Sequence, residues 1–220
     1  MNYAMALDYQ NCINCKACEV ACKEQNGVQL GADKHRIWVG SVEGVANNSL
    51  FVNFYPSQCN HCIDAPCVDV CPTSASHFED GGLVMVDPKK CILCKGCMEA
   101  CPYGARFVDD VRVVVDKCTF CYDTRISKGK TTTACQNTCP TKVRLFGDLD
   151  DENGDLVQML KNRKFFVLKE EEKTVPKLLY MVPENEDHSI SKNTKIYTWD
   201  EFKPLMEKAK ARRSSQWKKS

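Results

Sequence analysis

The stretch Cys91-Ile-Leu-Cys94-Lys-Gly-Cys97-Met-Glu-Ala-Cys101-Pro102 reads C-x2-C-x2-C-x3-C-P, the bacterial run that holds iron–sulfur clusters. Three thiolates two residues apart let a short loop wrap one corner of an iron–sulfur cube. In that run the fourth cysteine points away and ligates a different cluster. Proline after it fixes φ and lacks an N–H, so a helix can start there at little cost. Zinc sites use separated C-x2-C pairs rather than three evenly spaced cysteines plus a fourth.

The run recurs. Cys12-x2-Cys15-x2-Cys18-x3-Cys22 precedes it, with Lys23 in place of proline. Next comes Cys59-x2-Cys62-x4-Cys67-x3-Cys71-Pro72, whose longer middle gap, Ile63 to Pro66, is expected to loop outward. The last is Cys118-x2-Cys121-x13-Cys135-x3-Cys139-Pro140, with Tyr122 to Ala134 predicted as a surface loop. All sixteen cysteines fall in these four motifs, an internal repeat. A disulfide framework would scatter them irregularly, whereas four thiolates per cube make sixteen cysteines four complete 4Fe–4S clusters. No cysteine position is vacant, so His35, His61, His77 and His188 are left without a ligand role, His61 packing near its cluster. Lys16, Lys23 and Lys95, beside the loops, are either solvated or placed to favour a reduced cluster. Phe54, Phe78, Tyr103, Phe120 and Tyr122 are predicted to shield clusters from water.

Between the motifs the pattern predicts strands: Tyr3–Leu7, Arg36–Val39, Leu50–Tyr55 ended by Pro56, a hairpin over Phe78–Asp87, a second hairpin turning at Asp109-Asp110, and Val143–Phe146. Glu43 to Asn48 is predicted as turn or loop. Short helices are expected over Val20–Gln25 and Asp155–Leu160. The tail from Lys173 to Ser220 is polar and charged, and for its basic end, Lys208 to Ser220, a solvated terminus is favoured over a docking segment for a partner or an anionic membrane surface. Within it, Trp199, Phe202, Leu205 and Met206 have helical spacing, and Thr198 with Glu201 fits a capping box that Pro204 should disturb.

With 30 basic and 29 acidic residues in 220, nucleic acid is not the expected partner. No apolar run reaches eighteen residues, so no span is expected. Met1 to Gln10 carries neither a basic n-region nor an apolar h-region, so the chain is expected to be cytoplasmic or exported attached to another subunit.

Cys12 to Lys23, Cys59 to Thr73, Asp87 to Gly104, Lys117 to Cys121, Cys135 to Pro140 and Phe146-Gly-Asp-Leu-Asp150 resemble the electron-transfer subunit of the dimethyl-sulfoxide-reductase superfamily of molybdoenzymes, nearest the polysulfide or thiosulfate reductase type. The resemblance covers residues 1 to about 160. It implies an α+β fold of two ferredoxin-like units: an outer one (1–58 with 110–160) and an inner one (59–109) inserted in it, followed by an extension (161–220). It implies four ligand sets: Cys12, Cys15, Cys18 with Cys139; Cys118, Cys121, Cys135 with Cys22; Cys59, Cys62, Cys67 with Cys101; and Cys91, Cys94, Cys97 with Cys71. The implied role is electron transfer in anaerobic respiration, between an integral-membrane quinone-reactive anchor and a molybdopterin catalytic subunit. The chain would be a peripheral membrane-associated subunit, non-catalytic itself and on the periplasmic side by co-export. The alternative is a cytoplasmic subunit of a hydrogenase or formate-oxidising complex.

Overall fold

A computed structural model describes residues 1–46, 48–183 and 193–217. Strand β1 (Tyr3–Leu7) runs into the first cysteine loop and helix α1 (Ala17–Asn26). Three hairpins follow, each preceding a cysteine loop and a short helix. They are β2 (Ile37–Ala46) and β3 (Ser49–Gln58) before α2 (Pro66–Asp69), β4 (Ser76–Glu79) and β5 (Leu83–Val86) before α3 (Gly96–Glu99), and β6 (Phe107–Asp109) and β7 (Val114–Asp116) before α4 (Ala134–Asn137). The chain then forms β8 (Arg144–Asp148), α5 (Asp155–Asn162), β9 (Phe165–Phe166), β10 (Leu178–Met181), β11 (Ile196–Tyr197) and α6 (Trp199–Trp217). The fold is α+β.

Strand β1 organises the core. Ala4, Met5, Ala6 and Leu7 are fully buried, as a continuous apolar strand covered on both faces must be. It pairs antiparallel with β8 and parallel with β10 in a five-stranded sheet ordered β11-β9-β10-β1-β8. Alternation along the strands sends Met5, Leu7, Phe146 and Tyr180 to one face, among Cys22, Cys59, Cys118 and Cys135. Ala4, Ala6, Leu179 and Met181 go to the other face, against α5 and α6. The sheet thus separates a cysteine layer from a helix layer.

Several expectations are corrected. The second strand does not stop at Val39: β2 and β3 pair from Ile37↔Gln58 to Ala46↔Ser49, leaving only the tip as a turn. Pro56 does not end β3, because a ribbon of two strands leaves it an unpaired edge where a missing N–H costs nothing. In the hairpin after motif three, Asp109 belongs to β6; its carboxylate accepts from the Val111 and Arg112 amides, and the turn falls after it. The prolines after the fourth cysteines start no helix: α2, α3 and α4 end before Cys71, Cys101 and Cys139, and Pro72, Pro102 and Pro140 lie in the turns that follow.

The largest correction concerns the tail. Strand β10 is wholly buried beside β1, and Trp199, Phe202, Met206 and Ala209 of α6 pack on the sheet. Leu205 is instead exposed. The capping box is present: the Glu201 carboxylate accepts from the Thr198 amide at 2.8 Å and hydroxyl at 2.9 Å. Helix α6 continues through Pro204. The Ile63–Pro66 insertion does not bulge into solvent either. Ile63 and Asp64 donate their amides to Val175 and Thr174, and Ile63 and Ala65 are buried beneath the C-terminal segment. Asn47 of the expected loop, His188 and the last residues of the basic end (218–220) lie outside the described residues.

Candidate metal centres

In each motif the third cysteine is the second residue of a helix: Cys18 in α1, Cys67 in α2, Cys97 in α3 and Cys135 in α4. The fourth follows the short helices α2–α4, but Cys22 lies inside α1, which no proline interrupts and which runs on to Gly27. This arrangement gathers the thiols in fours. Cys12, Cys15, Cys18 and Cys139 line a hollow of about 330 Å³. Cys22, Cys118, Cys121 and Cys135 line one of about 250 Å³. Cys71, Cys91, Cys94 and Cys97 line one of about 320 Å³. The remaining four are mutual neighbours: burial pushes the Cys62 thiol up, and Cys59, Cys67 and Cys101 beside it add to the push. Burial likewise raises Cys22 to about 12, with Cys135 and Cys121 adding and Arg36 opposing. Thiols so held are poor acids by themselves, and a metal that binds them displaces their protons, because its binding requires thiolate. All sixteen cysteines are free.

The loops share a backbone signature. Asn14, His61, Leu93 and Phe120, each just before the second cysteine of its motif, have φ of 54°, 43°, 57° and 50°. Left-handed backbone at non-glycine residues costs about 1–3 kcal/mol each, so four repeats mark an imposed turn. Alternating helical hands turn successive amides inward into a concavity that binds anions, iron–sulfur clusters included. Amides also reach the sulfurs: Phe120 donates to Cys118 Sγ at 3.4 Å, Ser76 to Cys71 Sγ at 3.3 Å and Val143 to Cys139 Sγ at 3.3 Å. Asn26 Nδ2 lies 3.6 Å from Cys22 Sγ and 3.5 Å from Cys121 Sγ. Such donors favour negative sulfur and raise a cluster's potential.

Of the lysines singled out from the sequence, Lys16 lines the hollow of Cys12, Cys15, Cys18 and Cys139, and Lys95 lines that of Cys71, Cys91, Cys94 and Cys97. Lys16 bonds Glu19 and the Val39 carbonyl, Lys23 bonds the carbonyls of Gln29, Gly31 and Lys34, and Lys95 is exposed. Five further basic residues, Arg36, Arg106, Lys117, Arg144 and Lys177, are buried. Arg36 is held by both oxygens of Asp116 at 2.8 Å. Among the described residues none of the other four pairs with a carboxylate, although buried charge is costly unless compensated. Arg106 Nη2 donates to Cys67 Sγ at 2.9 Å and to Ser76 Oγ at 2.9 Å. Arg144 Nη2 lies 3.9 Å from Cys18 Sγ. Thiols gathered in fours, amides that reach the sulfurs and the buried Arg106 and Arg144 guanidinium groups beside them fit an anionic, thiolate-ligated cluster. His61 is fully buried, accepts the Val84 amide at Nδ1 and stacks on Phe120 at 4.1 Å.

The 4Fe–4S dicluster domain family matches residues 50–149. The B subunit of the polysulfide reductase of Wolinella succinogenes is 38% identical over 181 residues, covering 82% of this chain and 94% of that protein. The chain belongs to the iron–sulfur subunit family of the dimethyl-sulfoxide-reductase superfamily. Protein NrfC of Escherichia coli K12 is 42% identical over 185 residues, 83% of this chain and 81% of that protein. The thiosulfate reductase electron transfer subunit PhsB of Salmonella typhi is 42% identical over 149 residues, 68% of this chain and 77% of that protein. The chain is therefore a 4Fe–4S electron-transfer protein, and its sixteen cysteines agree with four clusters. No described helix is long and apolar enough to cross a membrane.

Proposed function

We propose that this chain carries single electrons through four 4Fe–4S clusters between a quinone-reactive membrane anchor and a molybdopterin catalytic subunit of an anaerobic respiratory reductase acting on a sulfur compound. The ligand sets are the four gathered above, two in each of two ferredoxin-like units, the inner nested in the outer.

One observation carries the reading. Cys15 and Cys94 are exposed and belong to different sets, whereas Cys22, Cys118, Cys121, Cys135, Cys59, Cys62 and Cys67, of the other two sets, are buried. Two sets that reach the surface, with two enclosed sets between them, are what a path needs to accept an electron from one partner and give it to another. The chain's own residues keep water from the inner sets and supply hydrogen bonds to sulfur, which tune potentials. The relatives named for polysulfide and thiosulfate reductases support a sulfur compound as terminal acceptor. The periplasmic side, reached by co-export with a partner, goes with this assignment.

The test is anaerobic affinity purification of the tagged chain from membranes. Recovery of a molybdenum-containing subunit and a multispanning subunit, with quinol-dependent reduction of polysulfide or thiosulfate, is the expected result. Recovery from the soluble fraction with a hydrogenase or formate-oxidising subunit would overturn it.

A further inference from the structure

Arg144, Lys117 and Arg106 each lie between two different cysteine sets. Arg144 stands beside Cys18 of the first outer set and beside Cys135 and Cys118 of the second. Lys117 stands beside Cys118 of that second set and beside Cys59 and Cys67 of the inner unit. Arg106 bonds Cys67 at 2.9 Å on one side and stands beside Cys97, of the last set, on the other. Their exposures are 3%, 1% and 7%. The Lys117 ammonium is held by the carbonyls of Val84 and Cys118, and Arg144 Nη1 by Gln58 Oε1 at 2.5 Å. Arg106 Nη1 is buried with no hydrogen-bond partner among the described residues.

Arg106 and Arg144 are also related by the internal repeat. Each is five residues beyond the fourth cysteine of its motif, Cys101 or Cys139. The corresponding positions after Cys22 and Cys71 hold Gly27 and Ser76, and Ser76 accepts a bond from Arg106. Each ferredoxin-like unit thus places one arginine between its two cysteine sets, and the lysine occupies the seam between the units.

We propose that Arg144, Lys117 and Arg106 are positioning residues, one at each of the three junctions of the electron path, and that each raises the potentials of the two clusters it separates. The assignment rests on the four ligand sets of the proposed function. A cation beside a cluster stabilises its reduced, more negative form, and in a buried site salt screens it little. Because it faces two clusters, one charge keeps neighbouring potentials in step. Arginine suits the task at two junctions because its charge is permanent and its planar donors can address two sulfurs at once.

The experiment is a redox titration of the anaerobic complex, followed by electron paramagnetic resonance, for Arg106→Gln and Arg144→Gln. Arg106→Gln is expected to lower both inner clusters, changing the reduced-to-oxidised ratio at fixed potential at least tenfold, or 59 mV for one electron. The outer pair should move much less. Arg144→Gln should do the reverse, and Arg106→Lys, which keeps the charge, should restore most of the shift. A merely structural role would cost cluster occupancy instead. Full occupancy with unchanged potentials, or a shift confined to one cluster, overturns the proposal. Should one arginine variant lose its clusters, the other variant and Lys117→Met, expected to lower the two middle clusters, decide the matter by the same criteria. Iron and sulfide content of the unsubstituted chain tests the underlying reading separately: fewer than four clusters would sink that reading, while four clusters without paired shifts would sink only this proposal.

Discussion

Truncating Phe202 to alanine tests whether the C-terminal helix is a working part of the cluster fold. Phe202 is 2% exposed and meets Phe165 and Tyr197 edge-on, each at a centroid distance of 5.2 Å. Besides its apolar stripe, α6 is tethered by ion pairs: Lys203 to Glu152, Lys210 to Asp150, Arg212 to Asp64 and Arg213 to Asp69. Exposed pairs of this kind contribute little, so the stripe must carry the docking. A buried Phe→Ala change costs about 3–5 kcal/mol. An isolated helix of this length is marginal in water, so the loss should emerge as local detachment of α6 rather than global unfolding. At 1.4 kcal/mol per factor of ten, amide hydrogen exchange over residues 199–214 should accelerate by about two to three and a half orders of magnitude. Arg213 also holds the Ile63 and Ala65 carbonyls at 3.2 Å. Detachment should therefore hasten bleaching in air of the cluster at Cys59, Cys62, Cys67 and Cys101. Leu205→Ala, at a 39% exposed position of the same helix, is the control and should change little. Exchange of α6 no faster in Phe202→Ala than in Leu205→Ala would refute the reasoning.

Two further outcomes are expected. Cys22→Ser should disturb only the cluster held with Cys118, Cys121 and Cys135, and Cys139→Ser only the one held with Cys12, Cys15 and Cys18; loss of the same resonance signal in both would show the crossed sets to be wrong. Asp116→Ala leaves the buried Arg36 guanidinium without its two bonds, a change that costs about 3–5 kcal/mol in buried pairs, so the denaturant midpoint for loss of cluster absorbance should fall, and an unchanged midpoint would contradict it.

The cysteine triplets are legible in the sequence because their spacing is a local property: a helix started at the right residue brings Cys18, Cys67, Cys97 or Cys135 to its loop without help from the rest of the chain, whereas the fourth cysteine of each proposed set comes from another motif and is implied only by the resemblance. The left-handed turns are not legible. Asn14 and His61 are residue types that tolerate such a φ, but Leu93 and Phe120 carry no such signal, and the conformation is imposed by the loop around them. Arg106 and Arg144 look like ordinary strand charges; their burial follows from where the cysteine loops close over them. The tail misleads for a similar reason. Leu178 to Met181 is a short apolar run among charges, and its complete burial comes from pairing with β1 at the opposite end of the chain. Pro204 reads as a breaker, yet it costs α6 one hydrogen bond while the Thr198–Glu201 cap and the buried stripe hold the helix.

The position of β1 also has a temporal side. Of the five strands of the sheet, the earliest to leave the ribosome is the one that both β8 and β10 must flank. Until β8 and β10 have emerged, Tyr3–Leu7 has no neighbour for its backbone, and the first cysteine loop waits for Cys139. The inner loops, whose four motif-two and four motif-three cysteines are close in sequence, need no such wait. Pairings so distant along the chain are slow to form. With the proposed ligand sets, synthesis imposes an order on maturation: the half of the electron path made by the inner cysteines, one of its two surface ends included, can be built while the chain is still growing, and the opposite end, which needs Cys139, closes later, with β10 the last strand to slot in beside β1.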